Sequence, residues 1–363
     1  MATQIVNPLD QSQFIDVTTA FKEVAYPYGV FSRTGLFAPE GVTSGTVIAE
    51  IDARGLGKMT GFTSRREGDA MRTSKEFKQA VALAIPHIKI EESVTYEDLE
   101  NKVANWQSLD QTARGITVND ATLDRLERMS LAMTQNMEYL AFTAANGIMR
   151  DPYDGSVYAD MFSILGVTRL TQALNLTDNT LDIISWAKAL KAKVSKANKS
   201  SPVIPALDIY VSSADMQAIQ SHPSIAPLRA NLISGLGRQG LAMASEVLYS
   251  EQVLTTHGVS DILDVGSNVR FINYEVTFTR LDGSTVDLNV NGKAFTVLRG
   301  TRDLYRVAYA PAPYFSKLGT KGTESYAWRT PIKNDQQFNV GLESSPLFYM
   351  TQPELSVDIT ITK

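Results

Sequence analysis

The chain has 363 residues, 44% hydrophobic and 20% charged, which suits an ordinary globular protein with room for a sizeable core. A formal net charge of -5 argues against nucleic-acid binding by bulk electrostatics, and the absence of cysteine excludes disulfides, thiolate metal sites and cysteine nucleophiles. The first basic residue is Lys22 and no apolar run approaches the ~20 residues of a membrane span, so a soluble cytoplasmic product is expected.

Residues 1 to 40 mix aromatics with Pro27, Gly29, Gly35 and Pro39 and sustain no helix or strand period. They predict an extended arm whose apolar contacts lie elsewhere. TVIAEI (46 to 51) predicts a strand, and FKQAVALAIPHIKIEES predicts one returning strand ending near Glu92. Between them lies a long glycine-rich tip, so the pair reads as a projecting hairpin, and a loop of that length usually has a function. The tip carries Arg54, Lys58, Arg65, Arg66, Arg72, Lys75 and Lys78, whereas Glu91, Glu92, Glu97, Asp98 and Glu100 follow it. Charge segregated in this way suits contacts between neighbouring copies, where complementarity sets register. The acids lack the glycine turns and aromatics of a pocket, which favours a solvated face over a catalytic pair.

From 120 to 149, Leu123, Leu126, Met133, Met137, Leu140, Ala144 and Ile148 recur at helical steps and line one face. Asn119 or Asp120 is the expected cap, and Gly147 followed by Asp151-Pro152 the expected stop. At 1.5 Å per residue this helix runs roughly 40 Å, the length of a structural spine. A second helix over 181 to 198 buries Ile183, Trp186, Leu190 and Val194 and turns Lys188, Lys191, Lys193 and Lys196 outward, as any amphipathic helix must. ALDIYVSSADMQAI predicts a strand entering a helix, with Ser212 and Asp215 spaced as a capping box.

GLGRQG has the G-x-G-x-x-G spacing at Gly235, Gly237 and Gly240. Its flanks do not fit a dinucleotide site. SIAPLRANLIS before it has helical spacing where a buried β-branched strand is needed, and Asp261, near the right distance, has no convincing strand before it. The segment therefore reads as a flexible loop between helical pieces. Further on, Ile272, Tyr274, Val276 and Phe278 alternate, then Val286, Leu288 and Val290, with turns at Asp282-Gly283 and Asn291-Gly292 before AFTVLR. This predicts a β-meander. Leu355, Val357, Ile359 and Ile361 predict a terminal strand with one dry face.

His87, His222 and His257 are scattered, and neither a phosphate-binding P-loop nor a G-x-S-x-G elbow is present. No catalytic, cofactor-binding or metal-binding residue is selected.

The order of arm, hairpin loop, long helix, mixed domain and late strand resembles the major capsid proteins of tailed phages, in particular the lambda-type capsid E family. FKEVAYPYGVFSRTGLF followed by TVIAEI carries the resemblance, together with TPIKNDQQFNVGLESSPLFYMTQPELSVDIT, in which Glu343-Ser-Ser-Pro346-Leu347 and Pro353 match the closing pattern. The resemblance implies the Hong Kong 97-type α+β fold. Its parts would be an arm (1–40), an extended loop (41–93), a peripheral domain (94–201) holding the spine helix, an axial domain (202–322), and a return to the peripheral domain (323–363). It implies no enzyme activity and no cofactor. The partners it implies are further copies in pentamers and hexamers, a scaffolding protein, a portal at one vertex and a decoration protein, around double-stranded DNA bound without sequence specificity. The site would be the virion capsid, assembled in the bacterial host cytoplasm. The intersubunit candidates are then Arg54, Lys58, Arg65, Arg66, Arg72, Lys75, Glu91, Glu92, Glu97 and Asp98. Gly235, Gly237, Arg238 and Gly240 become a candidate hinge near the capsomer centre. An encapsulin-like compartment shell is the alternative, and a nucleotide-dependent enzyme using GLGRQG a more distant one.

Overall fold

The computed structural model describes residues 15–16, 29–51, 79–102, 109–198, 204, 206–226, 259, 261–289, 291–300, 304–331 and 337–363. The chain opens with β1 (Ile15–Asp16), β2 (Ala38–Gly41) and an antiparallel pair, β3 (Thr46–Ile51) with β4 (Gln79–Ala84). β5 (Ile88–Thr95) then leads through α1 (Tyr96–Lys102) into α2 (Gln111–Ala145). Next come β6 (Ile148–Arg150), β7 (Val157–Asp160), α3 (Met161–Leu165), β8 (Leu170–Asn175) and α4 (Ile183–Ala197). β9 (Ala206–Val211) feeds α5 (Ser213–Ser221), followed by β10 (Asp261–Asp264), β11 (Val269–Asn273), β12 (Thr277–Thr279), β13 (Thr285–Asp287) and β14 (Lys293–Arg299). β15 (Tyr305–Tyr309), β16 (Tyr326–Arg329), β17 (Gln337–Ser344), β18 (Pro346–Met350) and β19 (Val357–Thr362) complete the order.

The spine helix exists but begins at Gln111, before the expected cap. The Asp110 carboxylate accepts the Ala113 N–H at 2.7 Å and sets the N-terminus. The Thr117 and Thr122 hydroxyls bond back to Ala113 O and Val118 O, so both are satisfied within the helix. With 35 residues the helix is roughly 50 Å long. Gly147, at φ +82, turns the chain out just past the Asn146 cap, and Ile148 enters β6. Leu126, Met133, Met137, Leu140 and Ala144 are buried as their spacing demands, but Leu123 is 42% exposed and lies off that face.

The expected single returning strand is two strands. Pro86 sits in the break between them, where it cannot donate to a ladder. β4 pairs with β3, whereas β5 leaves the hairpin and pairs with β17 along its full length, Ile88 opposite Ser344 and Thr95 opposite Gln337. β5 and β17 belong to a four-stranded sheet of order β1-β16-β17-β5, which α2 packs against. A three-stranded sheet, β18-β15-β2, lies against the same helix.

The expected meander is likewise redistributed. β9 inserts between β11, to which it is parallel, and β14, to which it is antiparallel, with α5 and β10 lying between β9 and β11 in the chain. Of the strands expected in the meander, β12 and β13 alone form a hairpin with each other, with Gly283 at φ +83 in its turn. The resulting six-stranded sheet runs β10-β11-β9-β14-β19-β8, with α4 and α5 packed on β11. The terminal strand behaves as its alternation predicts: Val357, Ile359 and Ile361 are buried, Thr360 and Thr362 exposed. This sheet draws on the 94–201, 202–322 and 323–363 segments together, through β8, through β9 with β14, and through β19. One continuous apolar core joins the sheets and α2.

Candidate functional site

The long helix meets the end of the arm at one buried carboxylate. Glu138 is fully buried on α2. Phe31 N–H donates to its Oε1 at 3.0 Å, Ser32 N–H and Ser32 Oγ donate to Oε2 at 2.9 and 2.7 Å, and the Tyr274 hydroxyl donates to Oε1 at 2.6 Å. Charge-assisted bonds from several donors are what allow an ionised carboxylate to lie in a core. Burial, and then the neighbouring carboxylate, push the Tyr274 hydroxyl well above the usual tyrosine range, so it stays a donor.

Around this contact Phe31 and Phe37, at the end of the arm, find apolar partners in their own chain. Phe31 packs edge-on to Phe142 with centroids 5.2 Å apart and lies within 6.2 Å of the rings of Tyr210, Tyr274 and Phe295. Phe37 meets Tyr305 and Phe348. Residues 30 to 37 therefore fasten α2, the six-stranded sheet and the three-stranded sheet to one another.

Of the acidic candidates, three are engaged within the chain. Arg125 of α2 reaches Asp98 at 2.7 Å and Glu92 at 3.5 Å, tying α1 and β5 to the spine. Asp98 also accepts Thr95 N–H and Oγ1 at 2.9 and 3.0 Å, and these bonds, the backbone one first, hold its carboxyl below the ordinary aspartate value. Glu91, on the opposite face of β5, pairs with Lys89 at 3.5 Å and accepts from Asn339. Glu97 and Glu100 are exposed on α1. Arg54, Lys58, Arg65, Arg66, Arg72, Lys75 and Lys78 lie outside the described residues, as do Gly235, Gly237, Arg238 and Gly240.

The Glu343-Ser-Ser-Pro346-Leu347 pattern is a buried corner at which the chain passes from β17 to β18 and so from one sheet to the next. Trp328 Nε1 donates to Glu343 at 2.7 Å, and His87 and Lys89 approach the same carboxylate at 3.5 and 3.8 Å. Gly341 leaves room for the indole: a Cβ there would come within 2.2 Å of the Trp328 ring. The Ser212–Asp215 pairing forms as expected. Ser212 accepts Asp215 N–H, and the buried Asp215 carboxylate also receives Gly292 N–H at 2.9 Å and Lys363 at 2.7 Å. Asp208 is held by Arg270 at 3.0 and 3.1 Å, with Arg299 beside it at 3.1 Å.

No group of three or more metal-ligating side chains converges among the described residues. Among the described residues, the buried charged groups Glu138, Asp208, Asp215 and Glu343 lie in joints between elements. Glu138 and Tyr274 were not among the residues selected from sequence. The available signal was a lone glutamate beside Met137, Tyr139 and Leu140 on an otherwise apolar stretch of helix.

A long helix packed on a four-stranded antiparallel sheet, joined to a six-stranded mixed sheet and preceded by a strap and an antiparallel strand pair, is the major capsid fold of tailed phages. A capsid protein of an E. coli CFT073 prophage superposes with a TM-score of 0.57 at 12% identity, covering 97% of this chain and 100% of that one. The model of the family described as phage major capsid protein E matches residues 15–361, and the chain belongs to that family of capsid proteins. It is 21% identical to the major capsid protein of Salmonella phage Felix O1, over 96% of this chain and 97% of that one. It is 22% identical to that of Pseudomonas phage KPP10, over 95% of each.

Proposed function

We propose that copies of this chain assemble into pentamers and hexamers and close an icosahedral shell around the double-stranded DNA of a tailed phage. The observation that carries this is the match of the capsid family model across residues 15–361. The joints fit such a role. A shell subunit must resist internal load, and here Glu138, Asp208, Asp215 and Glu343 lock the helix, strap and sheets together with charge-assisted bonds in a core. The chain acts as a structural subunit and not as an enzyme. Assembly takes place in the bacterial host cytoplasm on a scaffolding protein, with a portal at one vertex and a decoration protein as a further partner.

Within the shell, the arm and the extended loop reach neighbouring copies, the unit built on the spine helix lies peripherally, and loops of the axial part meet at the capsomer centre. Gly235, Gly237 and Gly240 supply bending there, with Arg238 available to an acidic group of the next copy. Arg54, Lys58, Arg65, Arg66, Arg72 and Lys75 of the loop tip meet acidic groups on adjacent subunits. Sedimentation velocity of the purified chain, alone and with scaffolding protein, tests the reading. Capsomer-sized or larger species support it, and a monomer at every concentration with scaffold present refutes it. Reversing Arg65 and Arg66 to glutamate tests the tip separately: assembly should fail while the subunit keeps its thermal midpoint.

A further inference from the structure

The turn between β15 and β16 holds two large apolar side chains out into solvent. Phe315 is 101% exposed and Leu318 83%. Their support is well built. Lys317 N–H donates to Tyr314 O at 3.0 Å, Thr320 N–H and Oγ1 donate to Lys317 O at 3.0 and 2.7 Å, and Gly319 at φ +74 closes the turn. Lys317 lies 5.7 Å from the centroid of the Tyr326 ring, and exposed Lys321 follows. Paired apolar groups on a fixed, basic turn mark an interaction surface.

The complementary chemistry stands at the other end of the four-stranded sheet that the turn enters through β16. On α1, Tyr96 is 54% exposed and Glu97 and Glu100 are exposed beside it, while Asp98 is held by Arg125. The strand register fixes how far apart these surfaces are. Tyr326, which ends the turn, pairs with Glu343, whereas Thr95, which begins α1, pairs with Gln337. Six residues of extended strand separate Gln337 from Glu343, about 20 Å. The basic apolar turn and the acidic aromatic helix of one chain thus adjoin opposite ends of β17.

We propose that the Phe315–Leu318 turn of one copy docks on α1 of the next, head to tail around a ring. This rests on the self-assembly proposed above and names one surface through which it acts. Unlike patches at opposite ends of a subunit make a heterologous contact, the kind that closes rings. Phe315 and Leu318 cover Tyr96, and Lys321 faces Glu97 and Glu100, so opposite charge fixes the register of the apolar contact.

The test uses the full chain, with assembly followed by sedimentation velocity and light scattering. Phe315→Ser with Leu318→Ser, and separately Lys321→Glu, should raise the concentration needed for assembly about tenfold or more, the effect of losing one well-buried contact. The unassembled variants should melt like the unmodified chain. Lys321→Glu combined with Glu97→Lys and Glu100→Lys should recover most of the loss. If the unmodified chain assembles and Phe315→Ser with Leu318→Ser assembles equally well, the docking is wrong and self-assembly stands. A lowered melting point of that variant with unchanged assembly would mean that its own chain covers the turn, which also overturns the docking. An unmodified chain that never assembles removes the parent reading and the docking with it.

Discussion

The Tyr274 hydroxyl donates to Glu138 Oε1 at 2.6 Å, linking residues that lie 136 positions apart in the chain. Through this bond the spine helix is coupled to the segment after β11, and through the other donors to Glu138 it is coupled to the arm. Tyr274→Phe leaves Glu138 its three arm donors and should cost about 1–2 kcal/mol. Glu138→Gln removes the charge and turns an amide N–H toward groups that are themselves donors, so it should cost more, about 2–4 kcal/mol. Urea denaturation of the unassembled chain measures both. The double variant should lose less than the sum, since the two residues share one network.

Gly147 and Gly283 have nearly the same backbone conformation, φ +82 and +83, in different surroundings. A Cβ at Gly147 would lie 2.5 Å from Phe162 Cε2, whereas nothing lies within 4 Å of one at Gly283. Gly283→Ala should therefore cost only the conformational penalty, about 1 kcal/mol, and Gly147→Ala that penalty plus displacement of the Phe162 ring, about 3 kcal/mol together. Thermal midpoints of the two variants compare these costs directly, and equal losses would show that the ring moves freely.

Asp98 gives the joint between α1 and the spine an acid limit. Its folded carboxyl titrates below the ordinary value of 3.8, first because Thr95 N–H donates to it and further through Arg125. The stabilisation is therefore present in full above pH ~4 and is lost as the pH falls through the lower folded value. Asp98→Asn should be destabilising at neutral pH, by under about 1 kcal/mol for a partly exposed group. Its deficit should shrink as the pH is lowered toward about 3. Denaturation midpoints across that range check the sign, and a deficit that grows in acid would contradict it.

The α4 face, with Ile183, Trp186, Leu190 and Val194 buried, follows directly from the sequence because four apolar residues at helical steps leave one orientation open. The start of α2 was obscured because Ile116, Thr117 and Val118 have weak helix preference, while the Asp110 cap that sets its N-terminus lies ahead of them. Pro86 was a visible sign that the returning strand breaks, but apolar residues on both sides hid the change of partner. The placement of β9 between β11 and β14 depends on a parallel crossover that local alternation does not encode. The Glu138 joint was the least accessible, since its donors come from 106 to 136 positions away and a lone glutamate in an apolar helix shows only that some partner must exist. Among the acidic candidates, segregation of charge was plain, but Arg125, which takes up Glu92 and Asp98, sits in a helix read for its apolar face alone.

Electron microscopy of the purified chain, expressed alone and with the proposed scaffolding protein, tests the shell-subunit role most directly. Closed shells in which each subunit shows the spine helix against the four-stranded sheet, grouped in fives and sixes, are the expected result. Uniform monomers or dimers at high concentration with scaffold present would contradict it.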